Sequence, residues 1–138
     1  MNFTDKLIIA VDFDGTIVED AYPKVGKPKL FAFETLDRLQ KEGHRLILWT
    51  YRSGSHLDDA VDFCKENGLE FYAVNKSFPE EELDNTKSRK INADVFIDDR
   101  NIGGLLGWGE VFQLLADPKN HPINQSKKKK GLFSFLRK

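Results

Sequence analysis

The chain has 138 residues, 40% of them apolar and 31% charged, enough for one domain burying about 68% of its unfolded surface and too little for two. Its 21 Lys and Arg against 22 Asp and Glu give a net −1, but residues 127–138 hold six basic groups and no acid, which leaves 15 basic against 22 acidic, a net −7, on residues 1–126. A domain of that sign repels polyanions, so nucleic acid is not expected as a partner of the globular part, and divalent cations are tolerated.

One cysteine, Cys64, excludes an intrachain disulfide, and no group of Cys and His has zinc-ligand spacing. A reducing, cytoplasmic location is expected. The apolar run Leu7 to Val11 is closed by an aspartate and is too short for a signal core or a membrane span.

In chain order, residues 6–13 (KLIIAVDF) form a continuous apolar, β-branched run, the pattern of a strand buried on both faces. Residues 15–28, broken by Gly15, Pro23, Gly26 and Pro28, read as an irregular flap. Pro28 then suits the first turn of a helix running to about Glu42 and stopped by Gly43. Residues 45–50 (RLILWT) are a second buried strand. The run from Ser55 to Asp58 resembles a capping box opening a helix that reaches Gly68 on Leu57, Ala60, Val61 and Cys64. A short strand at Phe71 to Val74, a polar loop over residues 75–88, a strand over residues 93–97 and a last helix from Gly109 to Ala116 complete the pattern. Long connections between successive strands exclude hairpins and predict an α/β fold: a three-layer Rossmann-like sandwich with a parallel central sheet and helices on both faces. The domain is expected to span residues 1–118, with a basic, apolar tail over 119–138.

In open α/β sheets the ligand site lies at the carboxyl ends of the strands. The first strand delivers Asp12 and Asp14 there, the second Thr50, the fourth Asp98 and Asp99, with Lys87, Arg89 and Lys90 just upstream. Such a carboxylate cluster cannot stay ionised without a cation, and hard oxygen donors suit Mg²⁺. A metal, an ammonium and a hydroxyl around a nucleophilic carboxylate are the parts that hold a phosphoryl group. Cys64 and Phe13 are expected in the core, Trp49 beneath the helices, and His56 on the surface. Tyr22 and Val25 are flap residues able to touch substrate.

At these residues the sequence resembles the haloacid dehalogenase superfamily of phosphohydrolases. Its first motif, DxDG[TV] after an apolar strand, stands as Asp12-Phe-Asp14-Gly-Thr16; its second, a strand ending in Thr or Ser, as Leu46 to Thr50; its fourth, a strand ending in an acidic pair, as Val95 to Asp99. The third motif is a lysine, assigned to Lys90 with Lys87 in reserve. The resemblance covers residues 6 to about 100 and implies a Mg²⁺-dependent phosphomonoester hydrolase. Asp12 would form an aspartyl-phosphate, Asp14 would protonate the leaving oxygen and then activate water, and Thr50 and Lys90 would hold the phosphoryl oxygens. Asp12, the backbone carbonyl of Asp14, and Asp98 would hold the metal, with Asp99 auxiliary. Arg52, two residues after Thr50, is placed to reach a substrate phosphate or carboxylate, a surface ion pair being the alternative. The flap and the loop after the third strand are too short for the inserted cap common in this superfamily. The resemblance is therefore to its capless members, which act on macromolecular esters or close over small metabolites such as sugar phosphates or nucleotides with a neighbouring subunit. Self-assembly into a homo-oligomer is one way to close this site.

The tail, with Lys127 to Lys130 followed by Leu132, Phe133, Phe135 and Leu136, suits weak contact with an anionic membrane or a protein, against the plainer alternative of a solvated end. Two other functions compete: a phospho-accepting signalling domain, disfavoured by the motif order DxD, Thr, Lys, Asp-Asp, and a non-catalytic binding module acting through the tail.

Overall fold

Side-chain alternation along four short strands fixes what each face of the sheet carries. The computed structural model describes residues 6–116; the expected domain boundary and the 119–138 tail lie outside the described residues. Within them run β1 (Ile8–Val11), α1 (Ala32–Lys41), β2 (Arg45–Leu48), α2 (Gly54–Glu66), β3 (Ala73–Val74), β4 (Val95–Ile97) and α3 (Trp108–Ala116). The four strands form one parallel sheet in the order β3-β2-β1-β4. β1 is interior, so its carboxyl end is flanked by those of β2 and β4, and Asp12, Thr50 and Asp98 leave the sheet side by side. Backbone bonds continue past the strand ends, from Asp12 N to Ile97 O at 3.0 Å and from Trp49 N to Val11 O at 2.9 Å.

Ile9, Val11, Leu46, Leu48 and Ile97 face one way and meet Leu36 and Leu39 of α1, Ala60 and Cys64 of α2, and Val111 and Leu115 of α3 in a single buried cluster. The other face presents Ala10, Ile47 and Ala73 with the half-buried Ile8, Trp49, Tyr72 and Phe96, and is covered by Ile91 and Ala93. The expectation of helices on both faces is corrected here: among the described residues all three helices feed one cluster, and the third layer is the irregular connection between β3 and β4. Right-handed crossovers explain the division. β1 to β2 to β3 moves in one direction and puts α1 and α2 on one face, whereas the return from β3 to β4 crosses the other.

Several element ends also differ from the sequence reading. Pro28 does not open α1; it pairs antiparallel with Val18, and Lys29 N donates to Ile17 O at 2.8 Å, so the flap stays extended until Phe31 turns the chain at φ 66°. The capping box at Ser55 does not form, because α2 already begins at Gly54 with Ser53 at its N-cap. Gly43 ends α1 as expected, at φ 99°. No helix among the described residues is long and apolar enough to cross a membrane.

Candidate active site

The segment after β1 turns back on itself at once. Thr16, Ile17 and Val18 N–H groups all point at the carbonyl of Phe13, and Gly15 N donates to Val18 O at 2.8 Å. Phe13, Ile17 and Val18 are fully buried, so this turn is anchored by core packing and fixes Asp12 and Asp14 on either side of Phe13.

Asp12, Asp98 and Asp99 each offer an oxygen, and these atoms lie within 4.8 Å of one another. Thr16, fully buried, ties the group together: its hydroxyl lies 2.9 Å from Asp12 Oδ2 and 3.3 Å from Asp99 Oδ1, and accepts the Asp99 N–H at 3.0 Å. The Thr16 carbonyl in turn accepts from Trp108 Nε1 at 3.0 Å, which locks α3 to the cluster. Burial pushes the Asp12 carboxyl up to about 7, and repulsion from Asp98 and Asp99 adds to it against the lowering effect of the Thr16 hydroxyl. Three converging hard oxygen donors with this much mutual repulsion fit a small divalent cation of the Mg²⁺ kind.

Gly15 makes the approach of Asp99 physically allowed. Its φ is +84°, and a Cβ there would overlap the Asp99 carboxylate. Gly15→Ala is therefore expected to lower unfolding free energy by more than about 1 kcal/mol, read as a shift of the urea midpoint. An unchanged midpoint would mean that Asp99 sits elsewhere.

Asp14 is held differently. Arg52, only 1% exposed, grips it with two hydrogen bonds, Nε to Oδ2 at 2.8 Å and Nη2 to Oδ1 at 2.7 Å. Its remaining N–H groups reach the carbonyls of Pro23, Lys24 and His56 at 2.7–3.1 Å. The guanidinium also lies over the rings of Phe13 and Tyr22. The Asp14 carboxylate holds the guanidinium above its ordinary pKa. Both sequence readings of Arg52 are thereby corrected: it is neither a surface ion pair nor a free substrate ligand, since five N–H groups meet five acceptors inside the protein. It clamps Asp14, the flap and the start of α2 into one unit.

Thr50 N donates to Asn75 Oδ1 at 2.8 Å, and the Thr50 hydroxyl accepts from Arg52 N at 3.2 Å. That leaves the hydroxyl proton to point outward. Asn75, in the left-handed region at φ 53°, is a positioning residue that the sequence reading missed; an Asn directly after a predicted strand was its one signal.

These groups surround a cleft of about 620 Å³. Asp12, Asp14, Thr50 and Asp98 line it together with Asp20, Tyr22, Trp49, Tyr51 and Arg100. Trp49 thus lies on the helix-free face and at the site, not beneath the helices as expected. Arg100, directly after the acidic pair, was missed. Val25 packs on the core instead of lining the cleft, and His56 is exposed as expected. Neither candidate lysine reaches the cleft: Lys90 Nζ rests 5.5 Å from the Phe96 ring centre, and Lys87 Nζ donates to Glu82 O at 2.6 Å. Cys64 is buried, and burial pushes its thiol up to about 12, which makes it an inert core group.

No protein-family model and no curated protein matches the chain. A solved structure does: that of a conserved protein from Bacteroides thetaiotaomicron, 54% identical, with a TM-score of 0.77 over 80% of this chain and 90% of that one.

Proposed function

Because the chain belongs to the family of this Bacteroides thetaiotaomicron protein, described only as conserved, we propose its function from the site itself: a Mg²⁺-dependent phosphomonoester hydrolase of the haloacid dehalogenase type, without a cap. The observation that carries the reading is the meeting of Asp12, Asp98 and Asp99 oxygens within 4.8 Å beside a cleft that Asp14 and Thr50 also face. Among the described residues, the flap and the β3–β4 connection hold no inserted domain, which supports the capless form.

Asp12 attacks phosphorus through a carboxylate oxygen. The ester P–O bond breaks, and Asp14 passes to the departing oxygen a proton that it takes up from solvent on a lone pair not used by Arg52. Asp14 then takes a proton from water as that water attacks the aspartyl-phosphate, which releases inorganic phosphate and restores Asp12. The clamp by Arg52 aims Asp14 without blocking this, since each carboxylate oxygen keeps a second lone pair for the proton in transit. Thr50 donates its hydroxyl to a phosphoryl oxygen, and Lys90 joins it by swinging off the Phe96 ring. Asp12, Asp98 and the Asp14 carbonyl would hold Mg²⁺, with Asp99 auxiliary, and the ion would supply the positive charge without which a phosphate dianion could not approach this many carboxylates.

The test is turnover of p-nitrophenyl phosphate by the purified protein in Mg²⁺ and in EDTA. Hydrolysis that requires the metal supports the reading; a stable acyl phosphate on Asp12 without turnover would replace it with a phospho-acceptor. A second prediction concerns binding alone: Mg²⁺ at about 100 times its Kd adds about 2.7 kcal/mol of stability, seen as a rise in Tm. Asp98→Asn should remove most of that rise, and an equal rise in wild type and variant would put the cation elsewhere.

A further inference from the structure

The proposed chemistry uses Asp12, Asp14, Thr50 and Asp98 of the cleft lining and does not employ four other lining side chains, those of Asp20, Tyr22, Tyr51 and Arg100. Tyr51 follows Thr50 directly and is 89% exposed, its ring meeting that of Tyr22. Tyr22, 45% exposed, is pinned from behind by the Arg52 guanidinium, 5.3 Å from its ring centre. The two rings stand 6.0 Å apart and cross at 70°, and Tyr22 meets His56 at 68°. They form a corner and not a slot. A flat nucleobase laid on one ring would meet the edge of the other, whereas a saturated ring with an apolar CH face fits a corner.

The polar groups lining the same cleft are of the matching kind. Asp20 is a pure acceptor, fixed to the flap by the Tyr22 N–H at 3.2 Å, and Arg100 is a pure donor whose own N–H is tied to Asp98 Oδ1 at 2.9 Å. Sugar hydroxyls, each both donor and acceptor, can use both kinds of group in the one cleft, and the Asp20 carboxylate discourages a further anionic group beside it on the leaving alcohol.

Resting on the hydrolase reading above, we propose that the substrate is a monosaccharide phosphate, its sugar ring seated against Tyr51 and Tyr22 and its hydroxyls shared by Asp20 and Arg100. These residues are specificity determinants of the leaving group, separate from those that handle phosphorus.

The experiment compares kcat/KM in Mg²⁺ for glucose 6-phosphate, ribose 5-phosphate, AMP, glycerol 3-phosphate and p-nitrophenyl phosphate. At least one sugar phosphate is expected to exceed AMP and glycerol 3-phosphate by about tenfold or more. Tyr51→Ala and Arg100→Ala should each cut the ratio of sugar phosphate to glycerol 3-phosphate by about tenfold, mainly through KM, and Tyr51→Phe should restore it. A preference for AMP, or ratios unmoved in both variants, overturns the assignment. Hydrolysis of p-nitrophenyl phosphate with no sugar phosphate accepted overturns it while leaving the hydrolase standing. No turnover of any ester removes the hydrolase reading and this one with it.

Discussion

Asp12→Asn is expected to lower kcat by about 10⁴-fold or more, the scale on which enzymes lose rate when a nucleophile is removed, and to make the metal-free protein more stable. The two effects share one cause. Asp12 is buried beside two other carboxylates, and its carboxyl is pushed from 3.8 up to about 7. Between those values the unfolded chain releases the proton that the folded chain retains, so in EDTA stability falls as pH rises from about 4 to about 7 and then levels off. Asn has the same shape, still accepts from the Thr16 hydroxyl, and carries no charge to be penalised. At about pH 8 in EDTA the variant should melt above wild type, and its Tm should lack the wild-type decline across that window. Mg²⁺ should narrow the difference by stabilising the wild type more. A variant that retains turnover would remove Asp12 as nucleophile; one that melts lower in EDTA would mean that the carboxylates are not in conflict.

Arg52→Met should cost about 3–5 kcal/mol, the usual penalty for removing one partner of a buried ion pair, out of the roughly 5–15 kcal/mol that holds a domain together. The loss comes from what remains behind: the Asp14 carboxylate without its partner and the carbonyls of Pro23, Lys24 and His56 without donors. Lysine would not rescue the site, because one ammonium cannot serve five directions from a planar fork. Urea unfolding at neutral pH reads the effect, and Asp14→Asn in the Arg52→Met background should recover part of it by removing the stranded charge. A change under about 1 kcal/mol would place Arg52 at the surface, where exposed pairs contribute that little.

What could be read from the sequence follows the range over which each cause acts. The strands, the parallel sheet and the positions of Asp12, Thr50 and Asp98 were legible because apolar runs ending in polar residues reflect local burial, and the strand-end rule then places those ends together. The opening of α1 was not, because Pro28 satisfies a helix start locally while its partner Val18 lies across the flap. Arg52 was misread for the same reason: its five acceptors come from Asp14, the flap and α2, and no local pattern marks an arginine for burial. Trp49 went to the wrong face because the sequence does not reveal that the β3–β4 return lacks a helix. Arg100 and Asn75 escaped because single polar residues in loops acquire meaning only from what folds beside them.

The helix-free face has a consequence for how the molecule opens. On one side of the sheet a shared core makes β1, β2 and the three helices a single cooperative unit. On the other, the segment between β3 and β4 is held at its start by Asn75 against Leu48 and Thr50 and at its end by the paired bonds of Asp94 with Ile8, and between them by Ile91 and by Lys90 over the Phe96 ring, the bond from Asn92 N to Ser77 Oγ at 3.0 Å closing the segment on itself. So slight an attachment corresponds to a low free energy of local opening, and amides of residues 77–92 should exchange hydrogen long before those of β1. Lys90 belongs to that segment, whereas Asp12 does not. Asp12 and Asp98 therefore leave strands that the core holds, while Lys90 rides on the segment expected to open first; on the hydrolase reading proposed above, ordering that segment is part of each turnover.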